Sequence, residues 1–291
     1  MFSKAVGYLK LIRVSNWFKN VFVFVPLVFS KSLFGRDYFV TVAAAFFIFS
    51  FASSLVYVIN DILDADEDSA HPVKRSRPIA NGTIKKSSAY WFAFLLAAIV
   101  FFTSIQFNAS FVTIVWAYIA VNVLYSLLLK TIVIVDIFCI ASGFLFRILS
   151  GAYIINVSVS NWLVLTTIFL SLFLAIMKRR VEIVANPNSS TRRSVLKQYS
   201  VQFLDLIAAM TGSGVIFSYA LYTVADRTIN NFGTERLVYT TAFVIFGIFR
   251  YMYLVYKKER GENVIEVLLT DLPMLVNLFL YVCSVIYIIY L

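Results

Sequence analysis

The chain has 291 residues, of which 61% are hydrophobic and 14% charged, and its mean hydropathy is +0.85. This composition excludes an ordinary soluble globular domain and a disordered chain, and it predicts an integral membrane protein. The net charge of +10 does not indicate nucleic-acid binding here, because in a membrane protein such an excess mostly reflects basic loops on one side of the membrane.

Nine apolar runs are long enough to cross a bilayer of about 30 Å, which takes about 20 helical residues. Their approximate positions are 18–34, 38–59, 89–107, 110–129, 132–155, 160–177, 202–225, 236–256 and 270–291. The runs lack the alternation of apolar and polar residues that strands of a membrane β-barrel require. The sequence therefore predicts an all-α integral membrane protein with nine transmembrane helices and no separate soluble domain.

The Lys and Arg residues outside these runs indicate the orientation. With the N-terminus inside, the inner segments hold 19 of the 25 Lys and Arg residues and the outer segments hold four. Because cytoplasmic loops are enriched in these residues, the bias predicts an N-in and C-out orientation. The long segments 60–88 and 178–200 are then cytoplasmic loops, and we expect them to cap one cavity. We expect no cleavable signal peptide, since no small-residue cleavage site follows the basic first segment.

The first of these loops begins with a dense block of charge, NDILDADEDSAHPVKRSRPIANG, at residues 60–82. Asp61, Asp64 and Asp68 are spaced by three and four residues, which places them on one face of a helix with Asn60 beside them. Like charges stacked in this way repel one another, and a divalent cation would relieve the repulsion. Mg²⁺ that is held by carboxylates and phosphate oxygens would bind a diphosphate. The alternative is a solvated acidic helix end that nearby lysines neutralise.

The second half of the block supplies cations. Lys74 and Arg77 follow in a segment with two prolines and a glycine, which predict a shaped loop. An ammonium group and a planar guanidinium fork both suit a polyphosphate. The alternative is a basic loop that binds lipid headgroups. Asp66 and Glu67 point away from the face that the three aspartates share, and we leave them out of the site.

The order of these residues, N-D-x-x-D-x-x-x-D-x-x-H-P-x-K-x-x-R-P-I-A-x-G, resembles the first signature of the UbiA superfamily of membrane prenyltransferases. Within that superfamily the chain looks like the branch of decaprenyl-phosphate phosphoribosyltransferases. W-x-K-N in the first run, K-R-x-x-E after the sixth and G-E-N-x-x-E-x-L-L-x-D near the end favour this branch. The resemblance covers nearly the whole chain, and its further segments are RVSNWFKNVFVFVPLVF at 13–29, YSLLLKTIVIVDIFCIASGFLFRILSGA at 125–152, SNWLVLTTIFLSLFLAIMKRRVEI at 160–183, YSVQFLDLIAAMTGS at 199–213 and RYMYLVYKKERGENVIEVLLTD at 250–271.

The resemblance implies nine transmembrane helices around a central cavity with polar caps on the cytoplasmic side, in agreement with the charge count. It also implies that the loop after the aspartates closes over the donor, so we expect Lys74 and Arg77 to be phosphate contacts, with His71 a weaker candidate. Lys19 belongs to W-x-K-N, which lines the polar cap in the family, and we expect it to bind phosphate as well. Its alternative role is an interfacial membrane anchor.

A second group of residues surrounds the fifth run. We expect Tyr125 and Lys130 to be donor contacts, and Arg147 to be a cavity residue near the lipid phosphate. Asp136 and Arg147 lie within apolar sequence, where ionisable groups are costly and usually functional or paired. Their separation of eleven residues is about three helical turns, so they could share one stripe of a helix. The alternative for both is structural pairing with another helix.

Lys178, Arg179 and Glu182 follow the sixth run. Aromatic prenyltransferases of the superfamily usually carry a second aspartate-rich motif, D-x-x-x-D, in this half of the molecule, and this chain lacks it. A basic pair beside one carboxylate suits a 5-phosphate or a lipid phosphate better than a second metal. The departure therefore favours the phosphoribosyl branch. The alternative is that these cations only follow the positive-inside rule.

The resemblance, together with these features, implies one catalytic domain, residues 1–291, that transfers a 5-phosphoribosyl group from phosphoribosyl diphosphate to a polyprenyl phosphate of the decaprenyl type. Mg²⁺ on Asp61, Asp64 and Asp68 would bind the departing diphosphate. We expect the protein in the bacterial inner membrane, with its active site facing the cytoplasm. The resemblance implies that the product feeds cell-envelope polysaccharide synthesis as the precursor of a lipid-linked arabinose donor.

Two alternative functions use the same features. A UbiA-type prenyltransferase would move a prenyl chain from its diphosphate to an aromatic or other small acceptor, although the missing second motif counts against it. A transporter or lipid-binding membrane protein would place its aspartates along an ion path, whereas here the charges gather at one membrane face. The sequence leaves open the prenyl chain length and whether the protein forms a homo-oligomer.

Overall fold

The structure is a computed structural model that describes residues 2–70, 74–185, 194–258 and 270–291. Over these residues the secondary structure is helical throughout, without a β-strand. The α-helices are α1 Phe2–Ile12, α2 Val25–Phe29, α3 Arg36–Leu63, α4 Ala65–Ala70, α5 Lys86–Ser104, α6 Ala109–Leu127, α7 Val135–Ile154, α8 Asn161–Ala185, α9 Val201–Val224, α10 Asp226–Phe232, α11 Thr241–Lys258 and α12 Leu272–Tyr290.

Nine helical segments in the described part of the chain are long and apolar enough to cross a membrane. Seven of them agree with the predicted runs to within about four residues, the accuracy expected of predicted boundaries. The sixth, α8, continues to Ala185, beyond the predicted end at residue 177, because carboxylates pair with the cations of its last turns. The predicted all-α fold with nine membrane-spanning helices is confirmed.

The first spanning segment differs most from its prediction, since it runs from Val6 to Phe29 and not from residue 18 to 34. It begins in α1, which ends before Arg13, where the backbone takes a left-handed conformation with a φ of 50°. A 3-10 helix, Val14–Phe24, follows, and α2 then begins with Pro26 in its first turn. Proline suits that position because the first turn of a helix does not use its backbone N–H groups.

The described chain forms two compact units. The first unit contains Met1–Ile132 and Phe146–Ser158, and the second contains Val133–Leu145 and Val159–Leu291. In the first unit α3 is the most buried helix and packs against α1, α5, α6 and the first 3-10 helix. In the second unit α8 and α9 pack against each other along much of their length, and small residues of α9 such as Ala208 allow the close approach.

A close backbone contact in the first unit gives a prediction about stability. A Cβ atom on Gly151 would lie 1.9 Å from the carbonyl oxygen of Val23, whereas one on Gly247 would come no closer than 3.5 Å to Asn277. We expect Gly151→Ala to cost about 3 kcal/mol or more, since overpacking against backbone is relieved only by moving the helix. Gly247→Ala should leave the thermal unfolding temperature of the detergent-purified protein nearly unchanged. Equal melting temperatures for the two variants would contradict this packing.

Candidate active site

The acidic block at the end of α3 forms a compact group of charges. Asp64 joins α3 to α4, and the backbone hydrogen bonds on both of its sides remain helical. Asp61 and Asp68 are two helical turns apart, and each is only 2% exposed. Nη1 of Arg77 lies 3.1 Å from Oδ1 of Asp61 and 2.5 Å from Oδ2 of Asp68. One guanidinium group therefore bridges two buried carboxylates.

Arg13 is a member of this group that the sequence did not predict. Its Nη2 atom lies 2.5 Å from Oδ1 of Asp61, and its guanidinium carbon lies 4.9 Å from the centroid of the Tyr57 ring. The left-handed backbone at Arg13 is costly for a residue other than glycine, and such strain often concentrates at functional sites. Lys74 completes the group, with its Nζ atom 3.8 Å from Oδ1 of Asp68. The signal that could have indicated Arg13 is its place as the first residue of the segment 13–29, which carries part of the family resemblance.

Asp64 does not face the same cations as the other two aspartates. α3 ends at the preceding residue, and the carboxylate of Asp64 points to Lys130, whose Nζ atom lies 2.7 Å from Oδ1. Four residues before Asp64 on α3, the side chain of Asn60 accepts a hydrogen bond at its Oδ1 atom from the hydroxyl of Ser126, at 3.0 Å. Tyr125 is half-buried next to Ser126 on α6. Asp61 and Asp68 therefore share Arg77, whereas Asp64 binds a different cation, although helical hydrogen bonds continue on both of its sides.

Local hydrogen bonds fix the loop that carries Arg77. The backbone N–H of Arg77 donates to the carbonyl oxygen of Lys74, and that of Asn81 donates to the carbonyl oxygen of Arg77, both at 2.9 Å. The side chain of Asn81 accepts from the N–H of Thr83 at 2.9 Å, while Gly82 adopts a φ of 77°, which favours glycine. The shaped loop predicted for this segment is present, and it directs Arg77 to the two carboxylates.

Arg147 lies deeper in the first unit and is 5% exposed. Its Nε atom donates to Oδ1 of Asn20 at 2.8 Å, and Asn20 in turn donates to the hydroxyl of Ser50 at 2.9 Å. The guanidinium carbon lies 5.3 Å from the ring centroids of both Phe49 and Tyr118. Hydrogen bonds and aromatic faces thus stabilise a charge that would be costly in apolar surroundings.

The second unit contains its own buried polar group. Arg179, 1% exposed, places Nε 2.9 Å from Oδ2 of Asp136 and Nη1 2.6 Å from Oε2 of Glu182. The hydroxyl of Tyr199 donates to Oδ1 of Asp136 and accepts from the N–H of Ile134, both at 2.6 Å. Burial, together with the hydrogen bond to the carboxylate, raises the pKa of Tyr199, so its phenol remains protonated at neutral pH. Asp136 is therefore paired, which was the structural alternative considered for it.

Removing Asp136 tests how much this group stabilises the second unit. We expect Asp136→Ala to lower the free energy of unfolding by about 3 kcal/mol, because it leaves the buried charge of Arg179 with one carboxylate fewer. Asp66→Ala is the matched control, since Asp66 pairs with Lys86 while its own side chain is 91% exposed, and exposed pairs contribute about 0 to 1 kcal/mol. Thermal unfolding in detergent compares the two variants. An Asp136→Ala protein as stable as Asp66→Ala would show that the pairing contributes little.

The remaining predicted residues lie in several places. Lys19, in the first 3-10 helix, and Lys178, on α8, are both half-buried, and their proposed contacts with phosphate stay predictions. His71 lies outside the described residues. Asp66 is exposed and bound to Lys86 at 2.9 Å, in line with its exclusion from the site.

The aspartates hold no preformed cage for a metal. Among the described residues, no three Asp, Glu, His or Cys side chains converge as metal ligands. Arg and Lys nitrogen atoms contact the carboxylates of Asp61, Asp64 and Asp68 instead. The donor chemistry nevertheless fits Mg²⁺, which prefers carboxylate oxygens and phosphate oxygens. Two of the carboxylates already lie close enough to share one positive group, the guanidinium of Arg77.

Fold and site together define a membrane-embedded protein whose polar site combines buried carboxylates with guanidinium and ammonium groups. Such a combination suits a substrate that carries phosphate and a metal. Residues 21–267 match the UbiA prenyltransferase family, and the chain belongs to this family. The family that the first signature indicated is thus confirmed.

Two curated relatives and one solved structure describe the similarity further. The decaprenyl-phosphate phosphoribosyltransferase of Mycolicibacterium smegmatis is 33% identical over 233 residues, which are 78% of this chain and 73% of that protein. The enzyme of the same name from Mycobacterium tuberculosis H37Rv is 31% identical over 253 residues, which are 83% of this chain and 82% of that protein. A UbiA homologue from Archaeoglobus fulgidus, solved with GPP and Mg²⁺, has the same fold, with a TM-score of 0.73, 98% and 100% of the two chains covered and 16% identity. The predicted enzyme class, a transferase resembling these phosphoribosyltransferases, is confirmed.

Proposed function

We propose that the protein transfers the 5-phosphoribosyl group of phosphoribosyl diphosphate to a polyprenyl phosphate of the decaprenyl type. The observation that carries this proposal is the meeting of the half-buried Arg13 and Arg77 with the buried Asp61 and Asp68. Carboxylates suit a metal and guanidinium forks suit a diphosphate, so this group offers both parts of a metal–diphosphate site. The relatives named decaprenyl-phosphate phosphoribosyltransferase support the choice of donor and acceptor.

Mg²⁺ is the metal that we propose for Asp61, Asp64 and Asp68, and the fold relative from Archaeoglobus fulgidus was itself solved with Mg²⁺. When bound, the ion would offset the charge that develops on the diphosphate as it leaves the anomeric carbon. Asn60 accepts from Ser126, and this bond fixes its amide beside the first carboxylate.

The cations around the carboxylates would bind the phosphate oxygens of the donor. Lys74 and Arg77 belong to the shaped loop, and Lys130 approaches from the turn after α6. Charge-assisted hydrogen bonds from these groups are stronger than neutral ones and would orient the diphosphate. Tyr125 and Lys19 are the further contacts that we propose on the donor side.

The acceptor needs little activation, because a polyprenyl phosphate is already an anion. One of its phosphate oxygens attacks the anomeric carbon opposite the diphosphate, and a carbon–oxygen bond forms as the bond to the diphosphate breaks. We propose that Arg147, oriented by Asn20, stabilises the lipid phosphate during this step. In the second unit, Lys178, Arg179 and Glu182 are our candidates for a contact with the 5-phosphate or the lipid phosphate.

The whole chain, residues 1–291, acts in this proposal as one catalytic domain of the bacterial inner membrane. We propose that its active site faces the cytoplasm and that the segments 60–88 and 178–200 are cytoplasmic loops, a sidedness that the distribution of Lys and Arg favours. The water-soluble donor then arrives from the cytoplasm and the lipid from the bilayer. The product would feed cell-envelope polysaccharide synthesis as an arabinan precursor.

The experiment that tests this function uses the purified protein in detergent with labelled phosphoribosyl diphosphate and decaprenyl phosphate. We expect label to appear in the lipid fraction with Mg²⁺ and to be absent when EDTA removes the metal. A parallel reaction contains prenyl diphosphate and an aromatic acceptor. Prenylation of that acceptor without any labelled lipid in the first reaction would overturn the proposal.

A further inference from the structure

The charges around the aspartates exceed what the carboxylates alone would require. Within the described part of the chain, three carboxylates lie within 4 Å of four cations, and these residues are Asp61, Asp64, Asp68, Arg13, Lys74, Arg77 and Lys130. Their formal charges leave one positive charge in excess. A divalent cation that entered alone would raise this excess to three, beside aspartate side chains that are 2%, 2% and 12% exposed. An unbalanced charge is costly in such a place, so a metal ion alone is a poor ligand for this group.

Two arginines compete directly with a metal for the same atoms. Arg13 and Arg77 both contact Oδ1 of Asp61, at 2.5 Å and 3.1 Å, and Arg77 also contacts Oδ2 of Asp68 at 2.5 Å. Mg²⁺ binds carboxylate oxygen at about 2.0–2.1 Å. An ion at that distance would repel the guanidinium nitrogens that bind the same oxygen. Arginine and metal would therefore compete for these carboxylate oxygens.

The two arginines are also placed to reach a substrate from water. Their side chains are 25% and 22% exposed, whereas those of Asp61 and Asp68 are 2% exposed. The guanidinium groups thus form the outer layer of the group and the carboxylates form the inner layer. An anion that approaches from solvent meets the guanidinium groups first.

We propose that Arg13 and Arg77 couple the binding of the metal to the binding of the diphosphate. Without a diphosphate they neutralise Asp61 and Asp68 and weaken metal binding. With a diphosphate they transfer to its oxygens, the carboxylates become available to the metal, and the charge of the anion balances that of the ion. This inference rests on the metal–diphosphate part of the proposed function and adds Arg13 as a diphosphate-binding residue.

A purely structural role for the arginines makes a different prediction, because the loss of a structural ion pair would weaken the binding of every ligand at the site. Coupling predicts opposite effects on the affinity for metal alone and on the affinity for diphosphate. Arg13→Gln or Arg77→Gln should strengthen the binding of metal alone, and should weaken the binding of diphosphate in the presence of metal. Lys86→Gln is the matched control, since Lys86 also pairs with an aspartate of this segment, Asp66, but outside the group.

The test uses the full-length protein in detergent and needs neither a ribosyl donor nor a lipid. Electron paramagnetic resonance measures the dissociation constant of Mn²⁺ alone, and filter binding measures that of labelled inorganic diphosphate at saturating Mn²⁺. We expect Arg77→Gln and Arg13→Gln to bind Mn²⁺ about 10-fold more tightly and diphosphate about 10-fold more weakly than the wild type, within the usual range of coupling between sites. Lys86→Gln should match the wild type in both measurements.

Unchanged or weaker Mn²⁺ binding in both Gln variants would overturn the coupling. If a Gln variant does not fold, Arg77→Lys and Arg13→Lys replace it, because lysine keeps the charge but loses the planar fork. The Lys variants should shift the dissociation constants of Mn²⁺ and of diphosphate in the same directions as the Gln variants, but by less. No shift in either constant would also overturn the coupling. If these binding measurements contradict the coupling, the proposed phosphoribosyl transfer still stands, because the transfer assay tests it separately. Conversely, the protein could show tighter Mn²⁺ binding and weaker diphosphate binding in the Gln variants and yet transfer no phosphoribosyl group. That result would contradict only the proposed substrates.

Discussion

Asp68→Asn is expected to lower the rate of phosphoribosyl transfer by about 1,000-fold while the protein remains folded, and Asp61→Asn should do the same. Asparagine has the shape of aspartate but no charge, so each variant removes one proposed metal ligand without opening a cavity. A bound metal contributes several kcal/mol to stabilising the transition state, and 1,000-fold corresponds to about 4 kcal/mol. The transfer assay measures the effect, and size-exclusion chromatography in detergent verifies the fold.

Asp66→Asn is the matched control for these two variants. Asp66 belongs to the same acidic block but points into solvent and binds Lys86. Its amide variant should retain the wild-type rate and the wild-type dependence on Mg²⁺ concentration. Wild-type turnover by Asp61→Asn or Asp68→Asn at low Mg²⁺ concentration would exclude these carboxylates as metal ligands.

The second large effect concerns the acceptor side. We expect Arg147→Gln to lower kcat/KM for decaprenyl phosphate by about 100-fold, because a charge-assisted bond to a phosphate in a buried place contributes about 2–5 kcal/mol. Asn20→Ala should lower kcat/KM for decaprenyl phosphate by a smaller factor, since Asn20 orients the guanidinium group of Arg147. The double variant should be no worse than Arg147→Gln alone, because the two residues act as one unit.

Arg250→Gln provides the comparison for Arg147. Arg250 also lies within a spanning segment, 5.1 Å from the centroid of the Tyr253 ring, but it is paired with Asp271 in the second unit. Loss of this pair should lower thermal stability and leave KM for decaprenyl phosphate unchanged. If Arg147→Gln also affected only stability, the proposed contact with the lipid phosphate would be wrong.

The sequence predicted the helices well because membrane helices are constrained by length and hydropathy more than by tertiary contacts. The first span was the larger of two exceptions, the other being the later end of α8. Charged residues at positions 10 and 13 moved its predicted start to residue 18, whereas the segment begins at Val6. The turn at Arg13 depends on contacts with Asp61 and Tyr57, which lie far along the chain. Local sequence does not contain such contacts.

The sequence predicted which types of residue form the candidate site, but only partly which of them contact each other. Spacing placed Asp61 and Asp68 on one face, and the structure brings them to the same guanidinium group. Lys130 was also expected in the site, but its bond to Asp64 joins residues 66 positions apart. Pairing over such a distance follows from the packing of α3 and α6, and a single sequence shows no trace of it.

One measurement tests the account most directly. The purified protein receives phosphoribosyl diphosphate and geranyl diphosphate together, with decaprenyl phosphate and an aromatic acceptor also present, and mass spectrometry identifies the products. We predict that decaprenyl phosphate gains the mass of one phosphoribosyl group, that inorganic diphosphate appears in equal amount, and that Asp68→Asn forms neither. A prenylated aromatic product, with the decaprenyl phosphate unchanged, would contradict the account.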